Sequence, residues 1–230
     1  MEAIVLAGGF GTRLRQVVPD LPKPMAPVAG RPFLEIVLAD LARKGFCRVV
    51  VSLGFMAESI QSYFGEGYAG MALGYVVEEV PLGTGGGVRL AMAACKKDHV
   101  FVFNGDTYLD LEIETVERYW QSHHRPLIVG REVPDTSRYG RLMTDGGRVI
   151  GFSEKGVAGP GLINAGCYVF NQGQLDKFPL NTAFSLETGY LSKMVTDAPL
   201  DLFVTNGHFI DIGIPEDYAR AQTELAGLLP

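Results

Sequence analysis

The stretch that decides the fold class is Ala3-Ile4-Val5-Leu6-Ala7-Gly8-Gly9-Phe10-Gly11-Thr12-Arg13-Leu14. Its first four residues form an apolar run of the kind that predicts a buried strand. Three glycines within four residues follow, and such a loop lets backbone N–H groups approach and wrap phosphate oxygens. A buried strand that leads directly into such a loop is typical of an α/β protein, in which ligands bind at the carboxyl ends of the strands.

Two familiar phosphate-binding motifs do not describe this loop. The Rossmann pattern GxGxxG fails because Leu14 stands where the third glycine belongs, and the Walker A pattern fails because no Gly-Lys-Ser/Thr follows. The loop instead carries its own Arg13, and Lys23 follows between Pro22 and Pro24. Arg13 can bind two phosphate oxygens at once and Lys23 supplies a point charge. Together they favour phosphate binding over a tight turn with two exposed cations.

The rest of the chain predicts a three-layer α/β fold, with helices on both faces of a mostly parallel central sheet. In the first half, the predicted strands are 3–6, 48–52, 73–77 and 100–103, and the predicted helices are 32–44, 58–64 and 88–94. In the second half, Asp145-Gly146-Gly147 is a hairpin signal between strands 141–144 and 149–153. Further strands are predicted at 162–170, 200–205 and 209–212, and further helices at 184–195 and 215–225.

Charge and composition narrow the range of partners. The formal net charge of −6 argues against a nucleic-acid backbone or an anionic membrane surface as the main partner, but it allows small anionic ligands. Three widely spaced cysteines form no CxxC pair, which argues against a disulfide framework or a zinc site. We find neither a signal-peptide pattern nor an apolar stretch of the roughly 18 residues that span a bilayer, so we expect a cytoplasmic protein.

The segments 8–14 (Gly-Gly-Phe-Gly-Thr-Arg-Leu) and 22–24 (Pro-Lys-Pro) resemble the signature of the sugar-1-phosphate nucleotidyltransferases. The resemblance implies their Rossmann-like nucleotide-diphospho-sugar transferase fold. It also implies an enzyme that joins a nucleoside triphosphate to a sugar 1-phosphate and releases pyrophosphate. Arg13 would stabilise the triphosphate and Lys23 would contact the transferring phosphate. The nucleotide would be cupped by Leu6, Ala7, Gly8, Gly9, Gly11 and Thr12.

The stretch 20–34 most resembles the guanylyltransferases that act on D-glycero-α-D-manno-heptose 1-phosphate. Hexose-specific relatives usually carry a proline soon after the Arg-Leu-Arg stretch, where this chain has Gln16. The resemblance therefore implies GTP and the heptose phosphate as substrates, with GDP-heptose for a surface polysaccharide as the product. Guanylyl transfer to mannose 1-phosphate, or uridylyl transfer to another sugar 1-phosphate, remains an alternative.

No linker, low-complexity tract or repeat divides the chain. We therefore expect a single nucleotidyltransferase domain, 1–230. Its nucleotide-binding half would cover about 1–110 and its sugar-phosphate acceptor half about 111–230. Because hexapeptide repeats are absent from the sequence, we expect no β-helix tail.

Further candidate ligands follow in the first half. In the resembling family, the loop 82–87 (Leu-Gly-Thr-Gly-Gly-Gly) borders the base and ribose, which implies nucleotide contacts for Gly83 and Thr84. Glycines there would suit a base that lies flat on the backbone, the structural alternative is a helix N-cap at Thr84, and both can hold together. Glu79, just upstream, is a candidate for the base edge. Asn104-Gly105-Asp106 ends a predicted strand, which places Asp106 at the ligand-binding edge of the sheet.

Two aspartates resemble the metal ligands of the family. Asp106 resembles the first and Asp211 the second, although alone each also fits a turn. Two carboxylates together with phosphate oxygens make a hard oxygen site, which suits Mg²⁺. With the two cations, these aspartates complete the candidate catalytic set: Arg13, Lys23, Asp106 and Asp211.

In the second half, three segments match elements that hold the sugar and its phosphate in the family. They are Glu154-Lys155, Asn164-Ala165-Gly166 and Ser185-Leu186-Glu187, and the resemblance adds Asn104 and Gly105 from the first half. Family members often have proline after Glu-Lys, where this chain has Gly156. For Ser185 and Glu187, a helix N-cap followed by a first-turn acid is an equal alternative.

Two other function classes fit parts of the pattern. A catalytically silent subunit that binds an NDP-sugar would be signalled by loss of a catalytic candidate, and all four are present. An NAD-binding module is disfavoured by the broken GxGxxG. The four histidines suggest no triad, and the reaction needs no general base because a sugar phosphate is already largely ionised at neutral pH. The expected partners are the small-molecule substrates, and the oligomeric state, a homo-oligomer included, stays open.

Overall fold

Strands and helices alternate along the chain. The structure, a computed structural model, describes residues 1–9, 11, 14, 17–153, 155–198 and 200–228. Its strands are β1 (Glu2–Leu6), β2 (Pro27–Val28), β3 (Arg31–Pro32), β4 (Arg48–Leu53), β5 (Gly67–Tyr68), β6 (Met71–Val77), β7 (His99–Asn104), β8 (Thr107–Leu109), β9 (Leu127–Val133), β10 (Leu142–Asp145), β11 (Arg148–Phe152), β12 (Gly161–Asn171), β13 (Leu200–Thr205) and β14 (Phe209–Asp211). Its α-helices are α1 (Phe33–Arg43), α2 (Ala57–Phe64), α3 (Gly83–Met92), α4 (Ile113–His123), α5 (Ser192–Asp197) and α6 (Pro215–Glu224).

Ten of the strands in these described ranges form one sheet, in the order β10-β11-β13-β9-β12-β7-β1-β4-β6-β5. β7, β1, β4 and β6 are parallel neighbours, which confirms the parallel sheet predicted for the first half. β12 runs antiparallel between β7 and β9 and so continues the sheet into the second half. There β13 is parallel to β9, and the hairpin β10–β11 completes the edge.

The side chains of β1 show why helices cover both faces of the sheet. Ala3 and Val5 belong to a core that includes residues of α1, α2, α4 and α6. Ile4 belongs to a second core, with residues of α3 and of a π-helical turn at Leu186–Leu191. All three side chains are fully buried, so the near-continuous apolar run reflects a strand covered on both sides. The predicted three-layer α/β fold is confirmed.

Two predictions of local structure need correction, and two elements were not predicted. α3 begins at Gly83 rather than at 88, so the glycine run forms its first turns. The segment 184–195 is not a single α-helix, because the π-helical turn Leu186–Leu191 precedes α5. The sequence pattern gave no prediction for α4 and β9. In α4 the buried residues Ile113, Val116 and Trp120 lie between charged residues, which makes the apolar signal weak. Within the described residues, the helices are all too short or too polar to cross a bilayer.

A buried carboxylate ties the start of β1 to its surroundings. Glu2 is 3% exposed, pairs with Arg48, and accepts hydrogen bonds from the backbone N–H groups of Lys96 at 2.7 Å and Lys97 at 3.0 Å. Burial alone would raise the pKa of Glu2. The hydrogen bonds and the Arg48 charge outweigh burial and hold the pKa of this carboxyl below its usual value.

Replacing Glu2 with Gln is expected to lower the free energy of unfolding by about 1–3 kcal/mol at neutral pH, because charge-assisted hydrogen bonds are lost. A carboxyl with a lowered folded pKa contributes stability above its unfolded pKa, and that contribution is lost as the pH falls through the folded pKa. The difference between wild type and Glu2→Gln in urea unfolding should therefore shrink below about pH 4.3. Glu66→Gln, at an exposed glutamate, is the control. Equal losses in both variants would contradict this account.

Candidate active site

A cleft opens at the carboxyl ends of β1 and β7, the edge at which α/β sheets bind ligands. Its volume is about 290 Å³. The residues that line it are Leu6, Ala7, Gly8, Gly9, Lys23, Pro24, Glu78, Pro81, Gly83, Thr84, Asn104, Gly105 and Asp106. All of these except Pro24, Glu78 and Pro81 are sequence-predicted ligand contacts, so the fold gathers most of the predicted nucleotide site.

A short antiparallel ribbon outside the main sheet brings Asp106 and Asp211 together. β14 pairs with β8 so that Asp211 lies opposite Thr107, and the Ile212 N–H donates to the Asp106 carbonyl at 3.0 Å. Lys23, in a 3₁₀ turn, completes the cluster. Its Nζ lies 2.6 Å from Asp106 Oδ2 and 3.9 Å from Asp211 Oδ1. Three of the four predicted catalytic residues therefore meet at one place.

This cluster sets two carboxylates against one ammonium group. Burial, together with the negative charge of Asp106, raises the pKa of Asp211, and Lys23 opposes that shift. Asp211 Oδ1 also accepts a hydrogen bond from the Gly213 N–H at 2.7 Å, so the turn expected as the structural alternative is present as well. In the described part of the chain, no group of three or more His, Cys, Asp or Glu side chains is arranged to hold a metal ion.

The glycine loop packs against the stem of Lys23. Gly11 has a φ of 58°, and a Cβ there would lie 2.8 Å from the Cβ of Lys23. Glycine at this position therefore lets the loop and the cation lie side by side. Thr12 and Arg13, both predicted to contact the nucleotide, lie outside the described residues.

The glycines at the start of α3 pack closely against other parts of the protein. A Cβ on Gly85 would collide with the ring of Phe184, and one on Gly86 would lie 2.6 Å from the Thr182 carbonyl oxygen. These two glycines therefore allow close packing between the halves of the chain, while the predicted nucleotide contact of the loop stays a prediction. The alternative that Thr84 is the helix N-cap is wrong, because Thr84 lies inside the first turn of α3 and Leu82 holds the N-cap position.

Glu78, rather than the predicted Glu79, lies at the cleft. Its Oε2 accepts a hydrogen bond from the Leu82 N–H at 2.8 Å, and its Oε1 accepts one from Ser52 Oγ at 3.3 Å. Glu79 is exposed and lines a neighbouring depression instead. Strand alternation is the signal that could have found Glu78. Val76 packs toward the α3 side of the sheet. Glu78 is two residues further along, so the alternation of a strand points its side chain to the same face.

Part of the predicted sugar-phosphate site lies beside the cleft. Asn104 and Gly105 line it, and Gly166 lies against Asn104, since a Cβ on Gly166 would be 2.6 Å from Asn104 Nδ2. Asn164 donates from Nδ2 to the Tyr168 hydroxyl at 2.6 Å, and its Oδ1 accepts from the Gly166 N–H at 2.9 Å. The predicted Asn164–Gly166 segment is thus fixed next to the strand end that carries Asn104.

The remaining acceptor candidates differ in their surroundings. Glu187 Oε2 accepts hydrogen bonds from Thr84 Oγ1 and from Ser185 Oγ, each at 3.0 Å. Ser185 also accepts from the Thr188 N–H at 3.2 Å, which confirms the cap alternative for this serine. Lys155 is exposed and is not among the residues that line the cleft, and Ala165 is buried in the core. Glu154 lies outside the described residues.

Besides Glu78, two side chains near the site were missed by the sequence analysis. Tyr168 is fully buried, and its periodic position in a strand predicts only a core residue. Arg138 pairs with Asp217 at 2.7 Å, at the start of α6, and its positive charge helps to lower the pKa of Asp211 against the effect of burial. No local pattern marks Arg138, because its partners come from distant segments.

Comparison with known proteins agrees with this geometry. The family model described as nucleotidyl transferase matches residues 2–227. The chain belongs to the nucleotidyl transferase family. This nucleotidyl transferase is therefore an enzyme, and the cleft is the place where its described residues gather the groups suited to phosphate chemistry.

Relatives of this nucleotidyl transferase include two proteins named D-glycero-alpha-D-manno-heptose 1-phosphate guanylyltransferase. The one from Aneurinibacillus thermoaerophilus is 39% identical over 98% of this chain and 98% of its own length. The one from Campylobacter jejuni is 34% identical over 95% of this chain and 97% of its own length. A mannose-1-phosphate guanylyltransferase from Mycobacterium tuberculosis is 34% identical over 100% of this chain but 66% of its own length.

Solved structures show the same architecture. HddC from Yersinia pseudotuberculosis, in complex with GMP-PN, has a TM-score of 0.85 at 35% identity, covering 96% of this chain and 97% of that one. A putative glucose-1-phosphate thymidylyltransferase from Bacillus anthracis has a TM-score of 0.83 at 20% identity, over 98% and 96% of the two chains, which shows a shared fold.

Replacing Asp211 with Asn is expected to raise the melting temperature in EDTA at neutral pH. A carboxyl with a raised folded pKa costs stability as the pH rises from its unfolded pKa toward its folded pKa, and the neutral amide removes that cost. The gain, measured by thermal unfolding, should diminish as the pH is lowered toward the ordinary value of 3.8. Asp197→Asn, at an exposed position ending α5, should leave the melting temperature unchanged. A lower melting temperature for Asp211→Asn would contradict the view that burial and repulsion from Asp106 make the charged Asp211 carboxylate destabilising.

Proposed function

We propose that this nucleotidyl transferase transfers GMP from GTP to D-glycero-α-D-manno-heptose 1-phosphate, giving GDP-heptose and pyrophosphate. The observation that carries the proposal is end-to-end similarity to the two proteins named for that activity, at 39% and 34% identity. Guanylyl transfer has the broader support, because the mannose-1-phosphate relative is also named a guanylyltransferase. We place the reaction in the cytoplasm, with a surface polysaccharide as the destination of the product.

The reaction is an in-line displacement at phosphorus. A phosphate oxygen of the sugar 1-phosphate attacks the α-phosphorus of GTP, a new O–P bond forms, and the bond to the bridging oxygen of the β-phosphate breaks. The electron pair leaves with pyrophosphate. No proton has to be removed from the nucleophile, since a phosphate is largely ionised at neutral pH. The tasks left to the protein are alignment and the neutralisation of charge.

The described residues divide these tasks along the cleft. The backbone of Gly8 and Gly9 lies at one wall, where the N–H groups of the glycine loop can bind phosphate oxygens. We assign the backbone of Gly83 and Thr84, which also line the cleft, to the ribose and base. Lys23 lines the cleft as well, and we assign its ammonium group to the transferring phosphate. We assign Arg13 to binding of the triphosphate, which is the role that the resemblance of the glycine loop to the family signature implies.

Asp106 and Asp211 suit a divalent cation. Their two charges exceed the single charge of Lys23, and the raised pKa of Asp211 reflects burial and a repulsion that a cation would relieve. Mg²⁺ is typically bound by one or two protein carboxylates, and its other coordination positions are filled by water and phosphate oxygens. A bound Mg²⁺ would supply charge neutralisation for the phosphate oxygens. The proposed catalytic residues are accordingly Arg13, Lys23, Asp106 and Asp211.

Mannose 1-phosphate is the second candidate acceptor, favoured by the match of the whole chain to the mannose-1-phosphate enzyme. A heptose differs from mannose by one extra hydroxymethyl carbon. A site with polar groups paired to that hydroxyl disfavours the shorter sugar, because those groups are left without a partner. A site that leaves the extra carbon in solvent would accept both sugars.

Pyrophosphate release by the purified protein tests the choice of substrates. GTP with the heptose phosphate is expected to give the highest kcat/KM, and mannose 1-phosphate a value lower by about tenfold or more. With the better sugar phosphate, kcat/KM should be higher for GTP than for ATP, UTP or CTP. Equal kcat/KM for the two sugars would contradict the heptose assignment. A preference for UTP would overturn guanylyl transfer but leave nucleotidyl transfer intact.

Replacing Asp106 with Asn is expected to lower kcat by about a hundredfold or more, since a charged group at the reacting phosphates is lost. EDTA should have a similar effect on the wild type, and excess Mg²⁺ should restore only the wild type. Asp145→Asn, at an exposed hairpin position, is the matched control and should retain full activity. Normal turnover by Asp106→Asn at ordinary Mg²⁺ would remove Asp106 from the catalytic set.

A further inference from the structure

The start of α3 and the segment 182–187 hold each other through reciprocal hydrogen bonds. The Phe184 N–H donates to the Leu82 carbonyl at 2.9 Å, and the Phe184 carbonyl accepts from the Gly85 N–H at 3.0 Å. The Leu186 N–H donates to Thr84 Oγ1 at 2.9 Å, although the two residues are 102 positions apart in the sequence. The first turn of α3 therefore finds partners for its otherwise unpaired backbone groups in the acceptor half.

Glu187 lies at the end of this junction, and three hydroxyl groups surround its carboxylate. Thr84 and Ser185 donate to Oε2, each at 3.0 Å, and the Tyr168 hydroxyl lies 3.5 Å from Oε1. Of these three hydroxyl-bearing residues, Thr84 alone lines the cleft. Thr84, which we assign to the nucleotide site, thus helps to fix the position of Glu187, which we assign to the acceptor site.

The hydrogen bonds of Thr84 also limit what else this residue can do. A threonine hydroxyl has one hydrogen to donate. The Thr84 hydroxyl accepts from the Leu186 N–H and donates to Glu187, so its one hydrogen is already used within the protein. This arrangement suits a residue that orients a neighbouring carboxylate better than one that donates to the nucleotide.

We propose that Thr84 is a positioning residue for the acceptor sugar. Its hydroxyl fixes the Glu187 carboxylate, and Glu187 in turn accepts hydrogen bonds from hydroxyls of the sugar 1-phosphate. This inference rests on the proposed function, in which Glu187 belongs to the acceptor site. It assigns to the loop beside the nucleotide a second task, which is to hold the acceptor in line for the attack.

The KM values of Thr84 variants test the proposal. Thr84→Val keeps the side-chain shape but removes the hydroxyl, and it should raise the KM for the sugar 1-phosphate by about tenfold, because a hydrogen bond to a carboxylate is lost. The KM for GTP should change far less, because the nucleotide contact of this residue is assigned to its backbone. Thr84→Ser retains the hydroxyl and should restore the sugar KM. Thr188→Val, at an exposed position in the same π-helical turn, is the matched control and should change neither KM.

A double-mutant cycle with Glu187→Gln separates action through Glu187 from other effects. If Thr84 acts through that carboxylate, Thr84→Val should add little to the sugar KM in the Glu187→Gln background. An equal effect in both backgrounds would overturn the proposal. A rise confined to the KM for GTP would overturn it too, since Thr84 would then act on the nucleotide directly.

Thr84→Val also removes the acceptor of the Leu186 N–H, so the melting temperature of each variant is measured first. If Thr84→Val does not fold, Ser185→Ala takes its place, because it removes the other hydroxyl from Glu187 Oε2 and leaves Leu186 paired. It should raise the sugar KM, and an unchanged KM would overturn the proposal. A wild type without activity on any substrate pair overturns the proposed function and this inference together. An active wild type whose Thr84 variants behave normally overturns the inference alone.

Discussion

The pairing of β14 with β8 is the constraint on which the active site depends. These two strands match only Phe209 with Leu109, Ile210 with Tyr108, and Asp211 with Thr107. That register sets Asp211 beside Asp106, within reach of the Lys23 ammonium group. A slip of one residue would turn Asp211 to the opposite face of the ribbon. The cluster of Lys23, Asp106 and Asp211 is therefore specified by a small ribbon outside the main sheet.

The sequence was most informative where a local pattern decides both structure and chemistry. The run at residues 3–6 predicts a strand buried on both faces, and the glycine loop directly after it must lie at the carboxyl end of a parallel sheet. The same reasoning placed Asp106, because Asn104-Gly105-Asp106 follows another buried strand. Lys23 was found from its place between two prolines after the glycine loop, whereas Asp211 needed the family resemblance because its position has no strong local signal of its own.

Contacts between distant segments explain what the sequence left out. The glycines of α3 look like a ligand-binding loop, yet Gly85 and Gly86 are required by the approach of Phe184 and Thr182. Nothing in the run of glycines tells which later segment will lie against it. Choosing between Glu78 and Glu79 required knowing which residues of β6 face α3. That depends on which elements cover each face of the sheet.

β12 has a consequence for how the molecule can move. It forms backbone hydrogen bonds with β7 of the first half along one edge and with β9 of the second half along the other. A hinge between the halves would have to break those bonds, so we expect the two halves of the sheet to move together. Entry and release must then rely on the loops above the strand ends, and turnover becomes a matter of loop motion rather than of domain closure.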